Sequence, residues 1–361
     1  MANIFGQLGL SDTDRVFNGT IGQEVLYDVA AAFVASRNDE LNRQIAVWVA
    51  GTTANHTERY RLPGGGYLEE RGNQGKGTFA PARATGYWDV AYPLNDYGGA
   101  VEWDDVTMAY MTASELSLNI QNVVIKNQNT TRFQLLKSLF NNVAGTHIDP
   151  LWGSLTVQRL ANGDATLYPP VLGSSTEATD NHYLESGYAA ADISDTNNPF
   201  VTIRDELEEH FGAMTGGENI VVFVNPAQRA KIEALADFVE VPDQYIRVGQ
   251  DTAVPSGLPN VPGRIYGRVN GCWVVEWRWV PANYMMANHL EVDQPLKMRI
   301  DPADTGLGMG LQLVATDERF PLTKSVWRNR FGFGASNRLN GVIMELGTGG
   351  SYTIPTAYAQ G

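Results

Sequence analysis

Asn329-Arg-Phe-Gly-Phe-Gly-Ala-Ser-Asn-Arg-Leu-Asn-Gly-Val-Ile-Met-Glu-Leu346, or NRFGFGASNRLNGVIMEL, lies close to the end of a 361-residue chain. It interleaves arginine, asparagine, glycine and aromatics, then runs into an apolar stretch, Gly341 to Leu346, that reads as a strand. Glycines at this density let a backbone turn tightly, so the passage is read as holding a shape. Upstream, Leu311-Gln-Leu-Val-Ala315 is another strand. Cys272-Trp-Val-Val-Glu-Trp-Arg-Trp-Val-Pro281 alternates, placing Trp273, Val275, Trp277 and Trp279 on one face and Val274, Glu276, Arg278 and Val280 on the other. Residues 241–264 are proline-rich and irregular.

The middle of the chain reads as an α/β lobe. Ile220-Val-Val-Phe-Val224 is a buried strand, and Asn225-Pro226 opens a helix to about Phe238, with Asn at the N-cap and Pro at N1. Thr202 to Asp205 caps a helix to about Met214. Residues 172–199 are loop-like. Leu155 to Leu160 and Ala165 to Tyr168 flank Asn162-Gly163, a hairpin signature. Thr112-Ala-Ser-Glu115 is a capping box. Ala113, Leu116, Ile120, Val124, Phe133, Leu136, Phe140 and Val143 follow at helical spacing, interrupted by the polar stretch Lys126 to Arg132. An unbroken helix there would run about 45 Å and end at Gly145.

Near the start, Thr20-Ile-Gly-Gln23 is another capping box, and Ile21, Val25, Leu26, Val29 and Phe33 carry a helix to about Asn42. Thr57 to Leu62 and Gly86 to Tyr92 alternate as strands around a long glycine-laden tip. The segment reads as an extended two-stranded ribbon. A lone ribbon is marginal in water, so a neighbouring subunit is expected beneath it. Glu58, Arg59, Arg61, Glu69, Glu70, Arg71 and Lys76 put both charge signs along it and are the candidate contacts between copies.

Composition bounds the function. A formal charge of −14 and a pI near 4.8 argue against a protein built to grip phosphates. Cys272 alone cannot form an internal disulfide, no basic-then-apolar leader opens the chain, and no apolar run is long enough to cross a membrane. The reading is a soluble protein made in a reducing cytoplasm.

Motifs for chemistry fail on detail. The five histidines show no His-x-x-x-His or His-Glu-x-x-His spacing. Glu206 and His210 share a helix face and could supply two metal ligands, though such a face is more often solvated. Gly75-Lys76-Gly77-Thr78 imitates a phosphate loop, but Glu70 stands where glycine is needed and Gly77 where Ser or Thr would hold magnesium. Asp304-Thr305-Gly306 lacks the apolar strand and second copy of an aspartic-protease triplet. The tryptophan face could stack sugars or bases, but reads better as a core strand. No catalytic, metal or cofactor site is assigned.

The order of these parts resembles the major capsid proteins of tailed bacteriophages, the Hong Kong 97 fold. The likeness rests on an arm and short helix, a glycine-tipped hairpin, a long helix, an α/β lobe and a return to terminal strands. The Trp327 to Leu346 text and Asn225-Pro226 are its most specific local features. It implies an α+β fold with an N-terminal arm (1–56), an extended loop (57–103), a peripheral lobe (104–171 and 292–348) with its spine helix at 112–143, an axial α/β lobe (172–291) and a tail (349–361). It implies a structural subunit of an icosahedral shell around double-stranded DNA, not an enzyme, without cofactors, located in the virion and assembled in the host cytoplasm. Partners would be copies of itself as pentamers and hexamers, a portal, DNA on the inner face without sequence recognition, and a decoration protein. No long charged helical segment precedes the arm, so a separate scaffolding protein, or a shell of already-processed chains, is expected. Arginines of the quoted passage would face partners or DNA. Some relatives crosslink a loop lysine to a neighbour's asparagine beside a glutamate, and Lys76, Asn337 or Asn340, and Glu345 offer those residue types. Two other functions fit the same residues: an encapsulin-type compartment shell, and a soluble carbohydrate-active or hydrolytic enzyme.

Overall fold

The computed structural model describes residues 4–15, 23–62, 87–211, 219–241, 261–302, 304, 306–317 and 322–359. In chain order the elements are α1 (Gln23–Ile45), β1 (Val49–Thr53), β2 (Thr57–Arg61), β3 (Tyr87–Ala91), β4 (Asn95–Asp104), α2 (Asp105–Tyr110), α3 (Ala113–Phe140), β5 (Gly145–Asp149), β6 (Gly153–Val157) and β7 (Tyr183–Glu185). They continue as α4 (Pro199–Phe211), β8 (Ile220–Val224), α5 (Arg229–Ile232), β9 (Val239–Glu240), β10 (Arg264–Val269), β11 (Cys272–Glu276), β12 (Tyr284–His289), β13 (Leu296–Ile300), β14 (Gln312–Asp317), β15 (Leu322–Ala335) and β16 (Val342–Glu345). No helix among the described residues is long and apolar enough to cross a membrane.

Two sheets organise the molecule. In the first, the 14-residue strand β15 is the spine: β4 runs antiparallel along one side, β14 and β13 pair with the other, and β1 extends the sheet parallel to β13. The second has seven strands in the order β7-β16-β12-β8-β11-β10-β9. Every residue of β8 is buried, as expected of an apolar strand covered on both faces. Helix α4 covers one face with Phe200, Ile203 and Leu207 against Val222, Val224 and Met285. The other face shares a core with the first sheet, in which Trp48, Leu136, Phe140, Phe223, Met286, Phe331 and Ile343 all have no exposed surface. Full burial of each such side chain is worth about 1.5–3 kcal/mol.

Helix α3 is continuous through 126–132. Its capping box is present: the Thr112 hydroxyl accepts from the Glu115 amide at 3.3 Å, and the Glu115 carboxylate accepts from the Thr112 amide at 2.8 Å. At 28 residues it spans about 42 Å. Two members of the polar stretch find partners: Asn127 accepts from Asn329 at 2.8 Å, and Arg132 donates to Gln44 of α1 at 2.9 Å.

Several sequence expectations change. Helix α3 ends at Phe140 with Asn141 as its cap, and Gly145 begins β5 instead of closing the helix. The tight hairpin is β5–β6, turning through Asp149-Pro150-Leu151-Trp152, with Gly153 at φ +74°. The Asn162-Gly163 region instead makes single bridges, Asn162 to Asn181 and Tyr168 to Ala178. Helix α4 starts at Pro199, where Asn198 accepts from the Phe200 amide at 3.0 Å, so Thr202 lies inside it. After Asn225 and Pro226 there is only a short 3-10 turn and the four-residue α5. Among the described residues the ribbon pairs Thr57–Arg61 with Tyr87–Ala91, while β4 leaves it for the first sheet. Strand β16 joins the seven-stranded sheet, not the sheet that holds β13, β14 and β15. The Thr20 capping box and the ribbon tip at 63–86 lie outside the described residues.

Candidate functional site

The quoted passage is where the chain crosses from one sheet to the other. Residues 329–335 belong to β15, and Val342 opens β16. Gly332 and Gly334 do not turn the chain. A Cβ at Gly332 would run into the Pro93 carbonyl oxygen, and one at Gly334 would lie 2.7 Å from that of Ala91. They let β15 press against the backbone joining β3 to β4.

Between the two strands is a buried polar knot, with Ser336, Asn337, Arg338 and Asn340 at no more than 1% exposure. The Arg338 guanidinium donates to the carbonyls of Arg159 (2.6 Å) and Leu160 (3.2 Å), to Thr166 (3.0 Å), to Asn162 (3.3 Å) and to the Asp164 carboxylate (2.7 Å). Asn340 donates to the carbonyls of His289 (2.9 Å) and Asp293 (3.0 Å) and accepts from the His289 amide (2.8 Å). Asn337 donates to the Asp293 carbonyl at 2.9 Å, and Trp88 of the ribbon donates to the Ser336 carbonyl at 2.8 Å. A charge this deep is tolerated only when its donors are paired.

Three expectations about this passage fall. Arg338 cannot face DNA or a partner, because it has no surface. Arg328 and Arg330 are half-exposed and ion-paired, Arg328 with Asp96 and Arg330 with Asp301 at 2.7 Å, so the reading that arginines face partners or DNA is left to these two. Asn337 and Asn340 are fully buried, so neither is reachable by a neighbour's lysine. Glu345 is spent inside the chain, accepting from the Thr353 amide at 2.6 Å.

The ribbon stem stands directly over the knot. Trp88 and Val90 are buried with Tyr92, Ala161, Tyr168 and Leu339, so the inner face of the stem packs on its own molecule. That corrects the expectation that the whole ribbon needs a neighbour. Glu58 turns inward, accepting from Thr53 (2.7 Å), Lys297 (2.9 Å) and Asn55 (3.2 Å). Burial works against its ionisation, but those hydrogen bonds win and its pKa falls to about 2. Arg59 pairs with Asp89 at 2.8 Å on the outer face, and both Arg59 and Arg61 stand over the Tyr87 ring. Glu69, Glu70, Arg71 and Lys76 lie outside the described residues.

Sequence reasoning missed the surface beside the stem. At the tip of β5–β6, Ile148, Leu151 and Trp152 are 77%, 85% and 57% exposed. Large side chains on a turn ordinarily fold back. Here they do not, and Asp149 fixes the backbone of the turn: its Oδ1 accepts from the amides of Leu151 (2.9 Å) and Trp152 (3.2 Å), while its Oδ2 is held by buried Arg299 at 2.9 Å. Trp152 stacks on His56, with centroids 4.1 Å apart, tying the hairpin to the root of the ribbon. The Asp-Pro-Leu-Trp-Gly text was the available signal, and Asn162-Gly163 masked it.

Elsewhere, Trp273, Trp277 and Trp279 are partly buried against the shared core, so the tryptophan face is packing. His210 is buried and bonded to Asp180 at 2.8 Å, not solvated with Glu206. Burial pushes the Glu206 carboxyl up to about 7.

No protein-family model and no curated protein matches this chain. Solved structures do. One titled Mycobacterium phage Patience superposes with a TM-score of 0.68 at 19% identity, covering 97% of this chain and 95% of that one. The capsid of a native GTA particle matches at 0.48 and 12% identity, over 84% of this chain and 90% of that one. The asymmetric unit of the bacteriophage PhiM1 mature capsid matches at 0.47 and 12% identity, over 81% and 82%. The chain has the mixed helix-and-sheet fold of Hong Kong 97 type that the order of its parts implied.

Proposed function

We propose that this chain is the structural subunit of an icosahedral shell that assembles from copies of itself and encloses the double-stranded DNA of a tailed phage. The observation that carries the proposal is the β5–β6 tip. Three large apolar side chains stand exposed next to a charged ribbon stem, on a chain whose fold matches a phage structure over nearly its full length. A contiguous exposed apolar surface marks an interaction site. With the turn's backbone held by Asp149, less backbone entropy is lost on docking.

In this reading the neighbour's ribbon or lobe covers Ile148, Leu151 and Trp152. Arg59 and Arg61, with Glu69, Glu70, Arg71 and Lys76 of the tip, set the register between copies, and Glu58 holds the stem upright. The sheet built on β15 and the spine helix α3 form the peripheral lobe. The seven-stranded sheet with α4 forms the axial lobe, meeting its copies in pentamers and hexamers. A separate scaffolding protein, a portal, unspecific contact with DNA and a decoration protein complete the set of partners, without a cofactor. The protein is a virion component, assembled in the host cytoplasm.

Deleting residues 63–86 while keeping the stem tests the ribbon. The subunit should fold, because the stem packs on its own body, but electron micrographs should show no closed shells. Normal shells from the deletion would remove the ribbon from the account.

A further inference from the structure

Asp180, His182, Glu209 and His210 bring one ligand atom each to within 4.8 Å of one another. Asp180 and His182 sit just before β7; Glu209 and His210 are in the last turn of α4. Oδ2 of Asp180 is shared: His182 Nε2 lies 2.9 Å from it and His210 Nε2 2.8 Å. Glu209 Oε1 is 3.5 Å from the same His210 nitrogen. The His182 side chain has no exposed surface and that of His210 has 4%, whereas Asp180 keeps 16% and Glu209 32%, which leaves an entrance from solvent.

The hydrogen bonding of His182 gives a second, independent observation. Its Nδ1 lies 2.9 Å from the Gly341 carbonyl oxygen, which can only accept, so Nδ1 carries the hydrogen. In the neutral ring Nε2 is then a bare lone pair, aimed at a carboxylate oxygen. Two lone pairs at 2.9 Å repel unless something positive joins them. A backbone carbonyl holding one ring nitrogen while the other points into a carboxylate-lined pocket is the arrangement that orients metal-bound imidazoles. Asn181 fixes the remaining ligand, its amide donating to Asp180 Oδ1 at 2.7 Å.

We infer that Asp180, His182, His210 and Glu209 form a binding site for a divalent cation of the zinc class. Tetrahedral bonds of about 2.0–2.1 Å to nitrogen and oxygen separate neighbouring ligands by about 3.3 Å. The separations of 2.8, 2.9 and 3.5 Å lie within about 0.5 Å of that value, and the remaining pairs, all within 4.8 Å, close by up to about 1.5 Å when the side chains gather on an ion. Two imidazoles among the four donors favour zinc, cobalt or nickel over magnesium or calcium. The end of a helix carries negative partial charge, which favours a cation at the last turn of α4. The bound ion would tie α4 to β7 and, through His182 and Gly341, to the polar knot between the sheets.

The test uses the full-length protein, stripped with a chelator and dialysed. Added Zn²⁺ should bind at one equivalent per chain and raise the melting temperature. Co²⁺ should give the intense visible absorption of a four-coordinate nitrogen–oxygen site, while Mg²⁺ should do neither. His210→Gln and Glu209→Gln, both checked for native circular dichroism, should each weaken binding tenfold or more. Folded wild-type protein that takes up neither Zn²⁺ nor Co²⁺ overturns the inference. So does His210→Gln binding as tightly as wild type. Neither result bears on shell assembly, so this site and the proposed function fail separately.

Discussion

Arg338 shows how one side chain can close a fold. Its guanidinium fork meets the carbonyls of Arg159 and Leu160, the side chains of Asn162 and Thr166, and the Asp164 carboxylate, with no water contact of its own. Replacing it with Met keeps the volume but strands the buried carbonyls of Arg159 and Leu160, and a buried acceptor left unpaired costs about 1–3 kcal/mol. Urea unfolding of Arg338→Met subunits should show a loss of that size; a loss below about 1 kcal/mol would mean the knot is not structural. Glu58 carries a different signature. Its pKa is about 2 in the fold against an ordinary 4.5, so its stabilising contribution is complete above pH 4.5 and disappears as pH falls towards 2. The melting-temperature gap between wild type and Glu58→Gln should therefore be constant near neutrality and close between pH 4.5 and 2. A gap unchanged at pH 2.5 would contradict the inward role of this carboxylate.

At the scale of elements, the β5–β6 hairpin is the clearest case of structure spent on exposure. Leu151→Ser with Trp152→Ser opens no cavity but gives up the Trp152–His56 stack, so subunit stability should fall by about 0.5–1.5 kcal/mol. The same double variant should assemble poorly, judged by the fraction of protein in shells. Loss of the fold instead would show that the hairpin serves the subunit's own core. What could be read beforehand tracks how local the cause is. The α3 cap was legible because Thr112 and Glu115 satisfy each other within four residues. The continuity of α3 past Lys126 was not, because Asn127 is rescued by Asn329, about 200 positions later. β8 was legible from its unbroken apolar run. The sheet that receives β16 was not: its partners β12 and β7 are chosen by the crossing at 336–341, which only the folded knot defines. The role of Gly332 depends on the nearness of Pro93, which no local pattern encodes. The Asp180–His182–His210 cluster joins two histidines 28 positions apart on different elements, so scanning for metal spacing passes over it.

On the scale of the whole molecule, two sheets share one apolar core, and the knot lies where the chain crosses between them. Among the described residues, what stands exposed is the charged outer face of the stem and the apolar β5–β6 tip. A net charge of −14 keeps free subunits apart at long range and makes assembly respond to ionic strength. The central claim is that copies of this chain, rather than its own core, cover Ile148, Leu151, Trp152 and the ribbon. Sedimentation velocity of the purified full-length chain, taken through increasing salt and concentration, measures this most directly. The account predicts a boundary of closed multi-subunit particles growing at the expense of small oligomers. A single monomeric species under every condition, with the β5–β6 tip still open to solvent, would contradict it.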